Sequence, residues 1–224
     1  MRIAVVVFPG TNCDEETRYV LGDVLGQDAE PVWHAETDLS RFDAIVLPGG
    51  FSYGDHLRAG AIARFSPVMR TVAELAKRDR IVVGICNGFQ VLCEAGLLPG
   101  ALQKNAGLKF LCRPATLRVT AGDSALTTGV AVGTELTIPI NHFEGNYTCG
   151  PETLAELRGD DRVVLRYADN PNGSVDDIAG ICSPGRNVVG LMPHPERACH
   201  PLLGSTDGLP LVRSLLVTAG ALAA

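Results

Sequence analysis

Nothing in the 224 residues approaches the run of about 18 apolar positions that a membrane-crossing helix needs, so no span is expected. Basic charge is scarce as well. Lys and Arg number 19 against 25 Asp and Glu, a net charge of −6, and no cluster of positive residues breaks the balance. A duplex nucleic-acid footprint needs such a cluster, so nucleic acid is excluded as a partner. Aromatic residues make up 5%, with one Trp; their scatter suits core packing rather than a stacking platform. The seven cysteines are odd in number and contain no C-x-x-C pair, so neither a disulfide framework nor a metal site is expected, and a reducing, cytoplasmic setting fits. The apolar opening Met1–Phe8 runs at once into Pro9-Gly10 and Asp14-Glu15-Glu16, which is not the plan of a signal peptide. The sequons at Asn146 and Asn172 therefore carry no glycosylation meaning. No G-x-x-x-x-G-K-[ST] occurs, so the chain has no P-loop of its own. Repeats, low-complexity tracts and Ser/Gly linkers are absent too.

What is present is a globular composition, 46% hydrophobic and 20% charged, with 25 glycines and 14 prolines that call for many turns. A chain of this length forms one domain that buries about 70–75% of its unfolded surface. The apolar runs Ile3–Phe8, Asp43–Leu47 and Ile81–Ile85 each end at a turn and read as buried parallel strands, with Pro31–His34 as a further strand. Between them, helical spacing is expected over Asp14–Leu25, residues 60–77 and Asn87–Ala95, with Gly26 and Gly96 as stops. Alternating strands and helices predict an α/β fold: an open, mostly parallel sheet with helices on both faces. The second half has β-like stretches at Thr116–Thr120, Glu135–Ile140, Val163–Tyr167, Ile178–Cys182 and Val188–Met192, with few helical patterns, and predicts an antiparallel extension. A closing helix is expected over Leu209–Leu222.

The chemistry concentrates where strands end. In Gly84-Ile85-Cys86-Asn87-Gly88-Phe89-Gln90, a buried strand runs straight into a helix, with Cys86 at the turn and a glycine two residues to either side. This is the plan of a nucleophile elbow, whose sharp backbone only small neighbours allow. The helix amino terminus faces the sulfur and favours thiolate, and the Asn87 N–H is free to donate to an oxyanion. A cysteine nucleophile needs a base with an orienting partner. His194 follows a late strand, and Glu196, two residues on in extended chain, points the same way and can fix the imidazole. A third strand ends at Pro48-Gly49-Gly50, whose backbone approaches a bound atom closely enough to give the second oxyanion donor. Cys13 also lies between strand and helix, but it lacks the glycine flanks and has no evident base. It reads as buried or partner-facing.

These three motifs together resemble the class I glutamine amidotransferases. The strings Phe8-Pro9-Gly10-Thr11-Asn12-Cys13-Asp14 and Gly49–Gly60 are similar to the glutaminase subunits of phosphoribosylformylglycinamidine synthases, over nearly the whole chain. The resemblance implies a glutamine amidotransferase type 1 domain over residues 1–224 and a role in de novo purine biosynthesis. It also implies catalytic Cys86, His194 and Glu196, oxyanion N–H groups from Gly50 and Asn87, and glutamine contacts at Gly49, Phe51 and Gln90. It implies no cofactor on this chain. Ammonia passes to a large ATP-dependent synthetase subunit that carries ATP and Mg, and a small bridging subunit completes the complex. One departure stands in Pro139–Tyr147, where Phe143 occupies a place beside His142 at which the family leads us to expect a small residue. It bears on the loop's shape and on any part His142 plays. Two other readings stay open from the residues alone: a stand-alone cysteine hydrolase or stress protein of similar topology, and a non-catalytic scaffold. His194-x-Glu196 after a late strand speaks against the first, and an intact Cys-His-Glu set against the second.

Overall fold

The computed structural model describes residues 1–221. In chain order the strands are β1 (Arg2–Val7), β2 (Asp28–Trp33), β3 (Ala44–Leu47), β4 (Ile81–Ile85), β5 (Ala101–Gln103), β6 (Leu111–Val119), β7 (Glu135–His142), β8 (Asn146–Thr148), β9 (Val163–Tyr167), β10 (Ile178–Cys182) and β11 (Val188–Leu191). The α-helices are α1 (Asp14–Tyr19), α2 (Pro67–Ala76), α3 (Asn87–Glu94), α4 (Pro151–Gly159) and α5 (Leu209–Thr218). Nine strands make one sheet in the order β2-β1-β3-β4-β11-β10-β9-β6-β7. Its first five members are parallel neighbours, and the remaining four join antiparallel. This is the expected parallel sheet with an antiparallel extension. Strand order reverses at β1, so right-handed crossovers put α1 and α2 on opposite faces.

The central strands are apolar because both faces are covered. Every residue of β3, β4 and β11 is buried, as the unbroken apolar runs require. Helix α3 lies unusually close to this layer. A Cβ on Gly88 would sit 1.9 Å from the Leu47 carbonyl oxygen, and one on Gly84 would sit 2.6 Å from that of Gly88. The two glycines flanking Cys86 are therefore a packing requirement: they let α3 start directly against the backbone of β3 and β4.

Several expected elements are revised. The helix anticipated over residues 60–77 breaks at Ser66, which is extended (φ −59°, ψ 143°) ahead of Pro67. Proline crowds the residue before it out of helical geometry, so a 3₁₀ turn at Ala63–Phe65 precedes α2. The helix expected over Asp14–Leu25 is α-helical only to Tyr19 and widens into a π turn at Val20–Val24. Strand β6 begins at Leu111, five residues before the expected start, because Pro114 lies inside it, paired with Pro139 of β7. The closing helix ends at Thr218, with Gly220 left-handed (φ +71°); its expected last residue, Leu222, lies outside the described residues. Helix α4 and the small β5–β8 sheet went unanticipated. Only Leu157 of α4 is buried, so the helix has almost no apolar stripe to read.

Candidate active site

Parallel pairing of β4 and β11 puts Gly84 opposite Gly190 and Ile85 opposite Leu191, and the Cys86 N–H donates to the Leu191 carbonyl at 2.7 Å. Cys86 thus leaves the carboxyl edge of the sheet beside the segment that carries His194. Its backbone is left-handed (φ 50°, ψ −104°), a conformation that a non-glycine residue holds only when its surroundings impose it. Residues on both sides are pinned: the Gln90 N–H donates to the Cys86 carbonyl as α3 begins. The sharp strand-to-helix turn expected at Cys86 is present. Its sulfur is buried and lies 3.8 Å from the carbonyl oxygen of Asn141.

His194 is 1% exposed and Glu196 2%, and Nδ1 of His194 donates to Oε1 of Glu196 at 2.6 Å. That bond leaves Nε2 as the free nitrogen, and it has no partner among the described residues. Burial opposes charging of the imidazole. The Glu196 carboxylate and the neighbouring Cys86 outweigh it and hold the His194 pKa well above the ordinary value. The His194 N–H donates to the Pro139 carbonyl, which ties this loop to β7.

The glycine pair closes on the same point. A Cβ on Gly49 would meet Cε1 of His194 at 2.7 Å and Sγ of Cys13 at 2.9 Å. Gly50, at φ +153°, packs against the backbone of Gly10–Asn12. Among the described residues, the N–H groups of Gly50 and Asn87 donate to no protein acceptor. The Asn87 side chain joins the two loops: its Oδ1 accepts from the Ser52 N–H at 3.1 Å, and its Nδ2 donates to Gln90 at 2.8 Å and to Asp55 at 3.2 Å.

Gly50, Phe51, Cys86 and Gln90 line a cavity of about 270 Å³, together with Asp55 and the segment 141–144. Three larger concavities, of about 690, 510 and 330 Å³, lie elsewhere and hold none of these groups. Asp55 was legible as part of the loop, but its place in the cavity was not. Burial, then the charge of Glu144, pushes its pKa up to about 6. Phe143 lines the cavity, and its carbonyl accepts from the Asn105 N–H at 2.9 Å.

Cys13 is buried, as expected, but a base does lie beside it. Its sulfur and the ligand atoms of His194 and Glu196 fall within 4.8 Å of one another. A metal would have to compete there with the His194–Glu196 hydrogen bond. Arg197 donates to the sulfur at 3.1 Å, yet burial raises the Cys13 pKa and keeps it a thiol. Cys13 also lacks the positive φ that sets Cys86 apart.

A family model described as a CobB/CobQ-like glutamine amidotransferase domain matches residues 1–207. The chain belongs to the CobB/CobQ-like glutamine amidotransferase family. Within it, the phosphoribosylformylglycinamidine synthase subunit PurQ of Rubrobacter xylanophilus is 57% identical over 98% of this chain and 99% of its own length. The PurQ subunit of Trichormus variabilis is 53% identical over the full length of both. Among solved structures, a chain of PurLQS from Thermotoga maritima superposes with a TM-score of 0.89 at 41% identity, covering 97% of this chain and 98% of that one. A putative GMP synthase subunit from Thermoplasma acidophilum, 19% identical with a TM-score of 0.69, shares the fold. Among the described residues of this amidotransferase, no helix is long and apolar enough to cross a membrane.

Proposed function

We propose that this chain is the glutaminase subunit of a phosphoribosylformylglycinamidine synthase, with Cys86 as nucleophile, His194 as proton carrier and Glu196 as its orienting partner. The supporting observation is the left-handed Cys86 at the sheet edge beside a buried His194–Glu196 pair, in a chain related along its length to PurQ subunits. The Cys86 sulfur attacks the carboxamide carbon of glutamine, and the developing oxyanion takes the N–H groups of Gly50 and Asn87. His194 delivers a proton from Nε2 to the departing nitrogen, the C–N bond breaks, and a γ-glutamyl thioester and ammonia result. His194 then takes a proton from water, whose oxygen attacks the thioester; the C–S bond breaks and glutamate leaves. Gly49, Phe51 and Gln90 seat the substrate.

Residues 1–224 act as one amidotransferase domain, working in the cytoplasm. Ammonia passes to a large synthetase subunit, where ATP and Mg drive its capture by formylglycinamide ribonucleotide, and a small bridging subunit completes the assembly. The test is product formation by the reconstituted assembly with glutamine or with ammonium as nitrogen source. Cys86→Ala abolishes the glutamine-dependent reaction and leaves the ammonium-dependent one. If glutamine still supports synthesis by that variant, the proposal is wrong.

A further inference from the structure

The two N–H groups assigned to the oxyanion stand on different elements, Gly50 on the loop after β3 and Asn87 at the start of α3. Their separation is set by a bridge between loop and helix, in which Oδ1 of Asn87 accepts from the Ser52 N–H at 3.1 Å and Nδ2 donates to Asp55 at 3.2 Å. The loop that makes this bridge is strained. Tyr53 is left-handed (φ 55°, ψ 29°), and Asp55 and Leu57 also have positive φ. Non-glycine residues keep that conformation only where their surroundings over-determine it.

Tyr53 carries the constraint. Its N–H donates to the Pro9 carbonyl at 2.6 Å. Its hydroxyl lies 3.0 Å from Nδ1 of His34 and 2.9 Å from Oγ of Ser66. The one hydroxyl proton serves one of these partners, and an oxygen lone pair accepts from the other. Both partners are fixed in turn. The His34 N–H donates to the Val7 carbonyl at 2.9 Å, its carbonyl accepts from the Val68 N–H at 3.0 Å, and its ring packs edge-on against Trp33. Ser66 is buried in the break ahead of α2. Tyr53 thus ties the loop to the ends of β1 and β2 and to the start of α2, while lying outside the lining of the Cys86 cavity.

We propose that Tyr53 is a positioning residue: clamped by His34 and Ser66, its hydroxyl holds the strained loop against α3 and keeps the Gly50 and Asn87 donors at the spacing an oxyanion needs. The inference rests on the reading of Cys86 as nucleophile and of these N–H groups as its oxyanion donors. Such donors are effective when they are preorganised, because they then need no rearrangement as charge develops. Without the hydroxyl the left-handed turn relaxes and the two donors lose their register.

The experiment follows two reactions of Cys86 in the complete assembly. In glutamine hydrolysis, kcat/KM includes the step that forms the oxyanion. In alkylation by iodoacetamide, read on the Cys86 peptide by mass spectrometry, sulfur displaces iodide at a saturated carbon and no oxyanion develops. Tyr53→Phe keeps the ring and removes the hydroxyl. It is expected to lower kcat/KM about 10-fold or more, less than the roughly 10²–10³-fold of a deleted donor, while alkylation of Cys86 keeps the wild-type rate. Ser66→Ala, which leaves the hydroxyl His34 alone, gives a smaller loss. The double variant is no worse than Tyr53→Phe, since both changes act through one oxygen. Wild-type kcat/KM in Tyr53→Phe, or an equal loss in hydrolysis and alkylation, overturns the positioning role while the nucleophile stands. Losses that multiply in the double variant overturn the route through the hydroxyl. A wild-type assembly that hydrolyses no glutamine overturns the glutaminase reading itself.

Discussion

The buried His194–Glu196 pair makes a quantitative prediction for Glu196→Gln. The substitution keeps size and shape but removes the charge 2.6 Å from Nδ1, in a site where both side chains are 2% exposed. A hydrogen bond to a charged group contributes about 1.5–3 kcal/mol and a neutral one about 0.5–1.5, so lost charge alone costs roughly 10-fold. The amide can also present its NH₂ to Nδ1, which would move the imidazole proton to Nε2 and block its work as a base. A comparable tautomer fault costs about 10⁴-fold in a Ser-His-Asp triad. The expected loss in kcat/KM is therefore on the order of 10²–10⁴-fold, smaller than that of His194→Ala, which removes the proton carrier from both half-reactions. Stability carries the same signature. Because the folded-state pKa of His194 is raised, its contribution is fully present below the unfolded value of about 6.5 and is lost as pH rises through the folded value. In Glu196→Gln, the largest of the influences that favour the imidazolium is gone and that contribution shrinks. Denaturant unfolding at pH 6 and pH 9 should show the wild type losing more stability with rising pH than the variant does. A Glu196→Gln enzyme that turns over at the wild-type rate and keeps the wild-type pH slope refutes the reasoning.

Gly49→Ala drives a methyl into the His194 ring and the Cys13 sulfur, so glutamine turnover should fall about 10²–10³-fold, the cost of a displaced catalytic group, with a modest shift in Tm. Gly50→Val meets backbone at 2.7–2.9 Å, so circular dichroism melting should show it clearly destabilised; a normal melt would mean that the loop can yield there. The loop from Phe51 to Gly60 holds three non-glycine residues at positive φ, touches Asn87 through Ser52 and Asp55, and exposes 90% of Leu57. Freeing it from α3 with Arg58→Ala should lower the melting temperature only modestly, since Arg58 is itself largely exposed and Arg64 stays beside the more buried Glu94, but lower the stimulation of glutaminase by the synthetase about 10-fold. Equal stimulation of both proteins in a coupled glutamate assay would remove the loop from that role.

The sequence was legible where one physical demand excluded alternatives. Unbroken apolar runs are tolerable only with both faces covered, so β1, β3 and β4 could be placed, and a cysteine between two glycines at a strand–helix junction has few other uses. The breaks came where two demands competed. Helical spacing carried the reading across Ser66, while Pro67 settled the backbone locally, and Pro114 hid the start of β6 although its ladder continues through it. At the site, the motifs located Cys86 because it closes β4, and His194 and Glu196 because they follow β11 directly in the chain. The rest of the cavity lining could not be found that way. Asp55 and Glu144 are 89 positions apart, and the contact of Glu144 with the Ala59 N–H of the 51–60 loop helps to bring them to one cavity. The hydrogen bonding of His142 is no more local, for its Nδ1 meets Asn105, 37 residues away, whose amide is oriented by two carbonyls. The proposed nucleophile, base and oxyanion donors follow strand ends and are written in short strings, because the sheet edge itself assembles them. The rest of the cavity wall comes from loops whose meeting only the folded chain determines.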